Sequence, residues 1–346
     1  MTKDLVVEKI TDPQKWKEIS QSGPYVQSEE YGRLQLTLGR KVERTVIKKG
    51  ECILAYYQTI LYPLWKHYQY CYVPYGPVFT NEPNAKVQQL IREDITNLSK
   101  SHSLVFVRLD PVQDYPLMKT APVLPGGSVQ VPGFLYRSAA HQARGEWILS
   151  IDTSADDLLA NMHKKTRYNI RKSERDGLET THYYGNDILQ HFETFIELNT
   201  ETTQAHQTTT HDREYFKTFF ETIAQSQENF VSLCHKDNRP LAINVFVRNG
   251  KTVFCPFGAN SEEGKKLGAY YNLKWAAILE MQSQGIEYFS WGGVAIGKHD
   301  KNLRGLNKFK QGFGGYAIEH ADFRDVVTNK GMYLLYLAKK FIDSLR

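Results

Sequence analysis

The sequence predicts an α+β protein in which one strand-and-helix unit occurs twice along the chain. Two observations predict it. Apolar runs punctuated by turn residues fall in the same order in both halves: hairpin, third strand, helix, strand. The 346 residues, 41% hydrophobic and 23% charged, also supply enough core for two modest domains.

In the first half Val42 to Ile47 leads through the turn Lys48-Lys49-Gly50-Glu51 into the apolar run Cys52 to Leu61, a hairpin pattern. Tyr68 to Val73 is a third strand, broken by Pro74-Tyr75-Gly76-Pro77. Val87, Leu90, Ile91, Ile95 and Leu98 recur at helical spacing within Asn84 to Ser99. Leu104 to Leu109 is a strand that stops at Asp110-Pro111. In the second half Phe230 to Cys234 and Leu241 to Val247 flank the turn Asp237-Asn238-Arg239. Asn249-Gly250 is a hairpin signal before Thr252 to Phe257. A helix fits Gly268 to Gln284, and Ile286 to Trp291 is the closing strand, ending at Gly292-Gly293. Repetition of a supersecondary order at this distance points to a duplicated domain. The order itself matches the core of the N-acetyltransferase (GNAT) fold.

Composition narrows the function classes. No apolar run reaches the roughly 20 residues of a membrane-spanning helix, and the charged opening MTKDLVVEKI is unlike a signal peptide. A cytoplasmic location is expected. Cys52, Cys71, Cys234 and Cys255 form no CxxC pair, so reduced, packed thiols are expected, with neither a metal site nor disulfides. The net charge of +5 permits an anionic partner without requiring one.

Between the halves runs SADDLLANMHKKTRYNIRKSERDG. Ser154 suits an N-cap, Asp156 and Asp157 suit the positive end of the helix dipole, and Gly177 suits a stop, which predicts one helix over Ser154 to Gly177. At about 100° per residue Leu158, Leu159, Met162, Thr166 and Ile170 share a face. Lys164, Arg167, Arg171 and Arg175 lie opposite, flanked by Lys165 and Lys172. Such a face can be merely solvated. Six cations in twelve residues interrupted by Glu174 alone also suit a polyanion such as an RNA backbone or a pyrophosphate.

HKKTRYNIRKSERDGLE, Phe309-Lys310 followed by Gly312-Phe313-Gly314-Gly315, Tyr75-Gly76-Pro77-Val78, Arg108-Leu109-Asp110-Pro111, and Gln27-Ser28 with Tyr31 resemble, in order, the signature segments of the FemABX peptidoglycan aminoacyltransferases. The resemblance implies two tandem GNAT-like domains sharing a cleft. One takes residues 1–146 plus 316–346, with a return helix over Gly331 to Leu345, and the other takes 147–315. It is the armless form, without the coiled-coil insertion. It implies transfer of an amino acid from aminoacyl-tRNA to an amine of a bacterial cell-wall precursor, lipid II or UDP-MurNAc-pentapeptide, with no cofactor and a monomeric enzyme. A lipid-linked acceptor would bring the enzyme to the inner membrane surface, although no amphipathic anchor stands out in the sequence.

The ester of aminoacyl-tRNA is already activated, so the chemistry needs no covalent enzyme nucleophile. It needs a cation near the developing oxyanion. The resemblance makes Lys310 that cation and lets Phe309 pack or stack against the tRNA end. By composition alone Lys310 is a surface lysine beside a Gly-rich turn. Asp110 is either an acceptor for the attacking amine or an Asx turn at a strand end. Arg108 shares its strand face. Tyr31, Tyr75, Tyr215 and Phe257 belong to the implied substrate surface, Phe257 replacing a family tyrosine. Gln35 and His211 stand where family members carry cations, and Arg213 or Arg33 is the expected compensation. The same fold would also serve an acyl-CoA-dependent N-acyltransferase, for which Asn260 to Ala269 has the location of the pyrophosphate loop but a poor pattern. A non-catalytic RNA-binding protein finds no standard RNA module. No GxSxG, HExxH or P-loop occurs.

Overall fold

The computed structural model describes residues 5–65, 67–80, 84–111, 129–130, 142–206, 210–296, 304–320 and 323–344. The chain divides into two compact units. One comprises Met1–Gly145, Ile296–His299 and Ile318–Arg346; the other comprises Glu146–Ala295 and Asp300–Ala317.

The first unit carries β1 (Leu5–Lys9), β2 (Lys41–Lys49), β3 (Cys52–Trp65), β4 (Tyr68–Val73), β5 (Val78–Phe79), β6 (Leu104–Leu109) and β7 (Val129–Gln130). The chain returns to this sheet late, as β15 (Arg324–Val327). The order is β1-β2-β3-β4-β6-β15-β7, with β5 on β3. Among the described residues its strand pairs are antiparallel except β4 with β6. That parallel step requires a crossover, which the helix Ala85–Ser101 provides, N-capped by Asn84. Every residue of β6 is buried, the pattern of a strand covered on both faces. Two short helices precede the hairpin: Pro13–Ser20, capped by Asp12 with proline in its first turn, and Glu29–Thr37, capped by Ser28.

The second sheet holds β8 (Gly145–Ser150), β9 (Glu179–Tyr184), β10 (Phe230–Lys236), β11 (Arg239–Asn249), β12 (Thr252–Asn260), β13 (Tyr288–Val294) and β14 (Tyr316–Glu319). Their order is β14-β8-β13-β12-β11-β10-β9. Here β12 and β13 pair in parallel, and the crossover is the helix Ala269–Ser283. The same hairpin, third strand, helix and parallel strand therefore occur in both sheets. The fold is mixed α and β with two tandem GNAT-like sheets, as the repeated order predicts.

The basic segment differs from expectation. It is two helices, Ala155–Asn161 and Lys164–Arg175, because Met162 is extended (φ −72°, ψ 152°). His163 starts the second helix by accepting from the Lys165 amide. Ser154 caps the first and Gly177, at φ +76°, follows the end of the second. FKQGFGG is not simply a closing turn either: Phe309 and Lys310 sit on a helix, Arg304–Gly312, and only the last glycines turn the chain into β14. The helices Phe192–His206 and Arg213–Ile223 are not among those the sequence predicts.

Candidate functional site

In the second unit the site begins with a defect in the sheet. Val245 faces Phe257 while Val247 faces Phe254, so β12 carries one extra residue around Cys255-Pro256. A bulge of this kind re-aims side chains, and proline there donates no ladder hydrogen bond. Phe257 turns to Phe216 and Phe219, at ring separations of 5.1 and 5.0 Å. The Cys255 thiol meets the Lys274 ammonium at 3.2 Å. Pairing of β12 with β13 covers only Thr252–Phe254 against Tyr288–Ser290, and beyond it the two strands part.

The freed end of β13 is held by one helix face. Asn307 accepts from the Ala295 amide at 3.0 Å and donates to its carbonyl at 2.9 Å. One turn on, the Lys310 ammonium donates to the carbonyls of Trp291, Gly292 and Gly293 at 2.9, 3.3 and 2.6 Å. Lys310 is 6% exposed. Burial, and next the neighbouring Lys274 charge, lower its pKa to about 8. Lys274 is itself buried, about 5 Å from the faces of Phe246, Phe289 and Trp291, and burial pushes its pKa down.

Beside this helix lies a cleft of about 530 Å³ lined by His163, Lys165, Thr166, Tyr271, Lys308, Phe309, Gln311 and Gly312. It forms because the basic helix starts against the end of the Phe-Lys helix. His163 donates its amide to the Gly312 carbonyl at 2.9 Å, and a Cβ on Gly312 would come within 2.4 Å of the Thr166 hydroxyl. Phe309 packs edge-on to Tyr271 and Phe313 at 5.1 and 5.3 Å. Two cations and two aromatic rings thus share one concave surface.

The cationic residues of the basic segment separate by role. Lys164, Lys165, Arg171 and Arg175 are exposed. Lys172 pairs with Asp176 at 2.5 Å. Arg167 has a structural task that the sequence did not show: its guanidinium donates to the carbonyls of Ala160 and Met162 at 3.0 and 2.5 Å, closing the end of the preceding helix. That broken helix end, invisible while the segment read as one helix, needs the donor.

In the first unit Asp110 is 5% exposed and accepts from the Tyr72 hydroxyl at 2.7 Å. Burial raises its pKa to about 6, against the Tyr72 bond and the charges of His320 and Arg108. Tyr75 donates to the Ala143 carbonyl at 2.7 Å and sets its ring 4.4 Å from His320, tilted by 49°. Arg108 is a correction. It is fully buried in a two-pronged pair with Asp325, at 2.8 and 2.7 Å, where it serves the core and not a surface for substrate. Tyr333 donates to the same carboxylate at 2.9 Å.

Tyr31 is buried against Tyr25 at 5.6 Å. Gln35 is buried, and the cation that reaches it is Arg40, not Arg33. Gly39 (φ +76°) ends the helix and folds Arg40 back, its amide donating to the Gln35 carbonyl at 3.0 Å. Arg33 lies 3.8 Å from Glu29 and 3.9 Å from Glu30. His211 is exposed and stacked on Tyr215 at 3.8 Å. Arg213 pairs with Glu193 and covers Phe192. Tyr72, Arg40, Asn307, Lys274, Lys308 and Tyr271 escaped the sequence reading. For Asn307 the three-residue spacing to Lys310 was the available signal.

Comparison with known proteins agrees with this architecture. A sequence model described as Acetyltransferase (GNAT) domain matches residues 160–311. Among solved structures, that of FemX superposes with a TM-score of 0.82 over 95% of this chain and 100% of its own, at 16% identity. The chain therefore has the FemX fold. L-PGS from Bacillus licheniformis gives 0.55 at 11% identity, over 94% of this chain and 95% of its own. A tandem GNAT protein from the clavulanic acid biosynthesis pathway gives 0.51 at 12% identity, over 93% and 98%. Comparison with curated protein sequences returns no match.

Proposed function

We propose that this protein is an aminoacyl-tRNA-dependent transferase that attaches an amino acid to an amine of a peptidoglycan precursor. The observation that carries the reading is the cleft where Lys165 and Lys308 meet Phe309 and Tyr271, beside the buried Lys310. Cations with stacking rings suit the single-stranded end of a charged tRNA, because phosphates take the charge and bases take the π faces.

In the proposed reaction the acceptor amine attacks the ester carbonyl and its proton passes to a carboxylate, the role assigned to Asp110. With a pKa of about 6, Asp110 is ionised at neutral pH and can accept a proton. The tetrahedral oxyanion collapses to an amide as the ester C–O bond breaks, and the ribose oxygen leaves with the proton the carboxylate had taken. Lys310, still a cation at neutral pH, supplies the positive field for the oxyanion. Its longest contact, 3.3 Å to the Gly292 carbonyl, is the one a substrate oxygen would replace.

One observation favours a second reading, acyl-CoA-dependent N-acylation. The helix Ala269–Ser283 begins at Gly268 with no side-chain cap, at the place in the fold where backbone amides would hold a pyrophosphate. A transfer assay decides between them, with a panel of charged tRNAs, acetyl-CoA, and both lipid- and nucleotide-linked acceptors. Amide formation from a charged tRNA is expected. Turnover of acetyl-CoA with none from any charged tRNA would overturn the proposal.

A further inference from the structure

The return helix Lys330–Ser344 packs one side into the core and presents apolar residues to solvent on another. Tyr333 and Tyr336, with Met332 and Leu337, pack into the core against Tyr70 and Phe106. On the other side Leu334, Leu335, Phe341 and Ile342 are 65%, 59%, 45% and 54% exposed, and Ala338 between them is exposed too. At about 100° per residue these five form one continuous stripe, with Lys330 at one edge and Lys339 at the other. Lys339 leans over the ring of Trp65, 5.9 Å from its centre, at the end of β3. Tyr68, which opens β4, is 38% exposed.

We propose that this face seats the protein on an anionic phospholipid bilayer, the helix lying in the plane of the headgroups. The chemistry fits that occupant on three counts. Leucine, isoleucine and phenylalanine enter the acyl boundary while lysines along both edges meet anionic headgroups. A tryptophan at the Lys339 edge, with Tyr68 opposite it in the sheet, suits the interfacial zone, where one end of the ring is apolar and the other wet. A second copy of this chain fits worse. A stable protein interface takes about 20 residues a side, the stripe offers five, and self-pairing would bring its lysine edges together. No helix among the described residues is long and apolar enough to cross a membrane, so the contact is peripheral. The inference bears on the proposed transfer reaction by favouring a lipid-linked acceptor, and to that extent rests on that reading. The membrane contact itself does not.

The test is co-sedimentation of the full chain with vesicles of phosphatidylglycerol and phosphatidylcholine, or of phosphatidylcholine alone. Binding is expected to the anionic vesicles. The Lys330→Gln, Lys339→Gln double variant should bind them roughly thirtyfold more weakly, about fivefold for each lysine. Leu335→Asp with Ile342→Asp should abolish binding while leaving the circular dichroism and melting temperature unchanged, since both sites are exposed. Wild type that stays in the supernatant, or variants that bind like wild type, would overturn the proposal. So would a dimer in light scattering that the aspartate variant dissociates. In transfer assays the aspartate variant should keep its rate with a nucleotide-linked acceptor and lose it with a vesicle-borne one. Absence of transfer from wild type with both acceptors would sink the proposed reaction and leave the sedimentation result to judge the surface.

Discussion

Asp110→Asn should make the protein more stable at neutral pH, and the size of the gain follows from the site. The carboxyl is buried at the end of β6, with its pKa raised from 3.8 to about 6, chiefly by burial. An acid whose native pKa lies above its unfolded value favours folding only while protonated. Its stabilising contribution is complete below the unfolded pKa and is lost as pH rises through the native one. Above pH 6 the native state carries a carboxylate that the unfolded chain solvates better. The gap between 3.8 and about 6, at about 1.36 kcal/mol per pH unit, amounts to roughly 3 kcal/mol. Asparagine removes the charge and leaves an oxygen for the Tyr72 hydroxyl now bonded at 2.7 Å. Denaturant unfolding of both proteins should therefore show a gain of about 3 kcal/mol near pH 8, falling to about 1 kcal/mol near pH 4.5. Equal stability at both pH values, or a loss at pH 8, would refute the argument. The same variant should lose transfer, so a residue costly to the fold would be retained for chemistry.

Other perturbations separate structural from functional cations. Arg108→Ala should cost about 3–5 kcal/mol in unfolding experiments, because it leaves the buried Asp325 charge without its partner. Arg167→Ala should lower the melting temperature by exposing the carbonyls of Ala160 and Met162. Lys165→Ala should leave the melting temperature alone but weaken tRNA binding and reduce its salt slope by about one. Lys310→Ala should reduce transfer by about a hundredfold or more with the fold retained. In wild type the rate should fall as pH rises through about 8, where Lys310 loses its proton. Lys274→Met should move that limb upward by removing a neighbouring positive charge, and an unmoved limb would show that Lys310 is not the titrating group.

The duplicated unit was legible because its signals are local: glycine and asparagine turns, apolar runs and one well-spaced helix per half. Ser154 and Gly177 likewise mark their helix ends through their own chemistry. What lay beyond the sequence depends on contacts between distant residues. Arg108 two positions before Asp110 reads as a site neighbour, and only the pairing of β15 with β6, setting Asp325 opposite Arg108, makes it a core ion pair. The break at Met162 hides because helical spacing continues across it, while the bond the His163 amide makes there goes to the Gly312 carbonyl, far along the chain. The exposed stripe of the return helix hides for the opposite reason. Apolar residues surround that helix, and no sequence pattern says which side the Tyr70 and Phe106 cluster will take.

The Phe-Lys element shows how a residue can be structural and chemical together. Lysine is seldom buried unless paired, yet Lys310 and Lys274 are 6% and 4% exposed and close enough for one charge to disfavour the other. Carbonyls of β13 compensate the first; aromatic faces and the Cys255 sulfur compensate the second. These partners hold the charges but do not match water, so the Lys310 pKa settles near 8. An ammonium in that condition is still charged at neutral pH and poorly screened. It therefore interacts more strongly with a nearby developing negative charge than a solvated lysine would. In the proposed reaction the oxyanion is that charge. A neutral ester carbonyl gains little from replacing the 3.3 Å contact to Gly292, whereas the tetrahedral intermediate gains much, and that difference is what lowers a barrier. The three hydrogen bonds that make Lys310 look like a clamp on β13 are then also what keep the cation in place before substrate arrives.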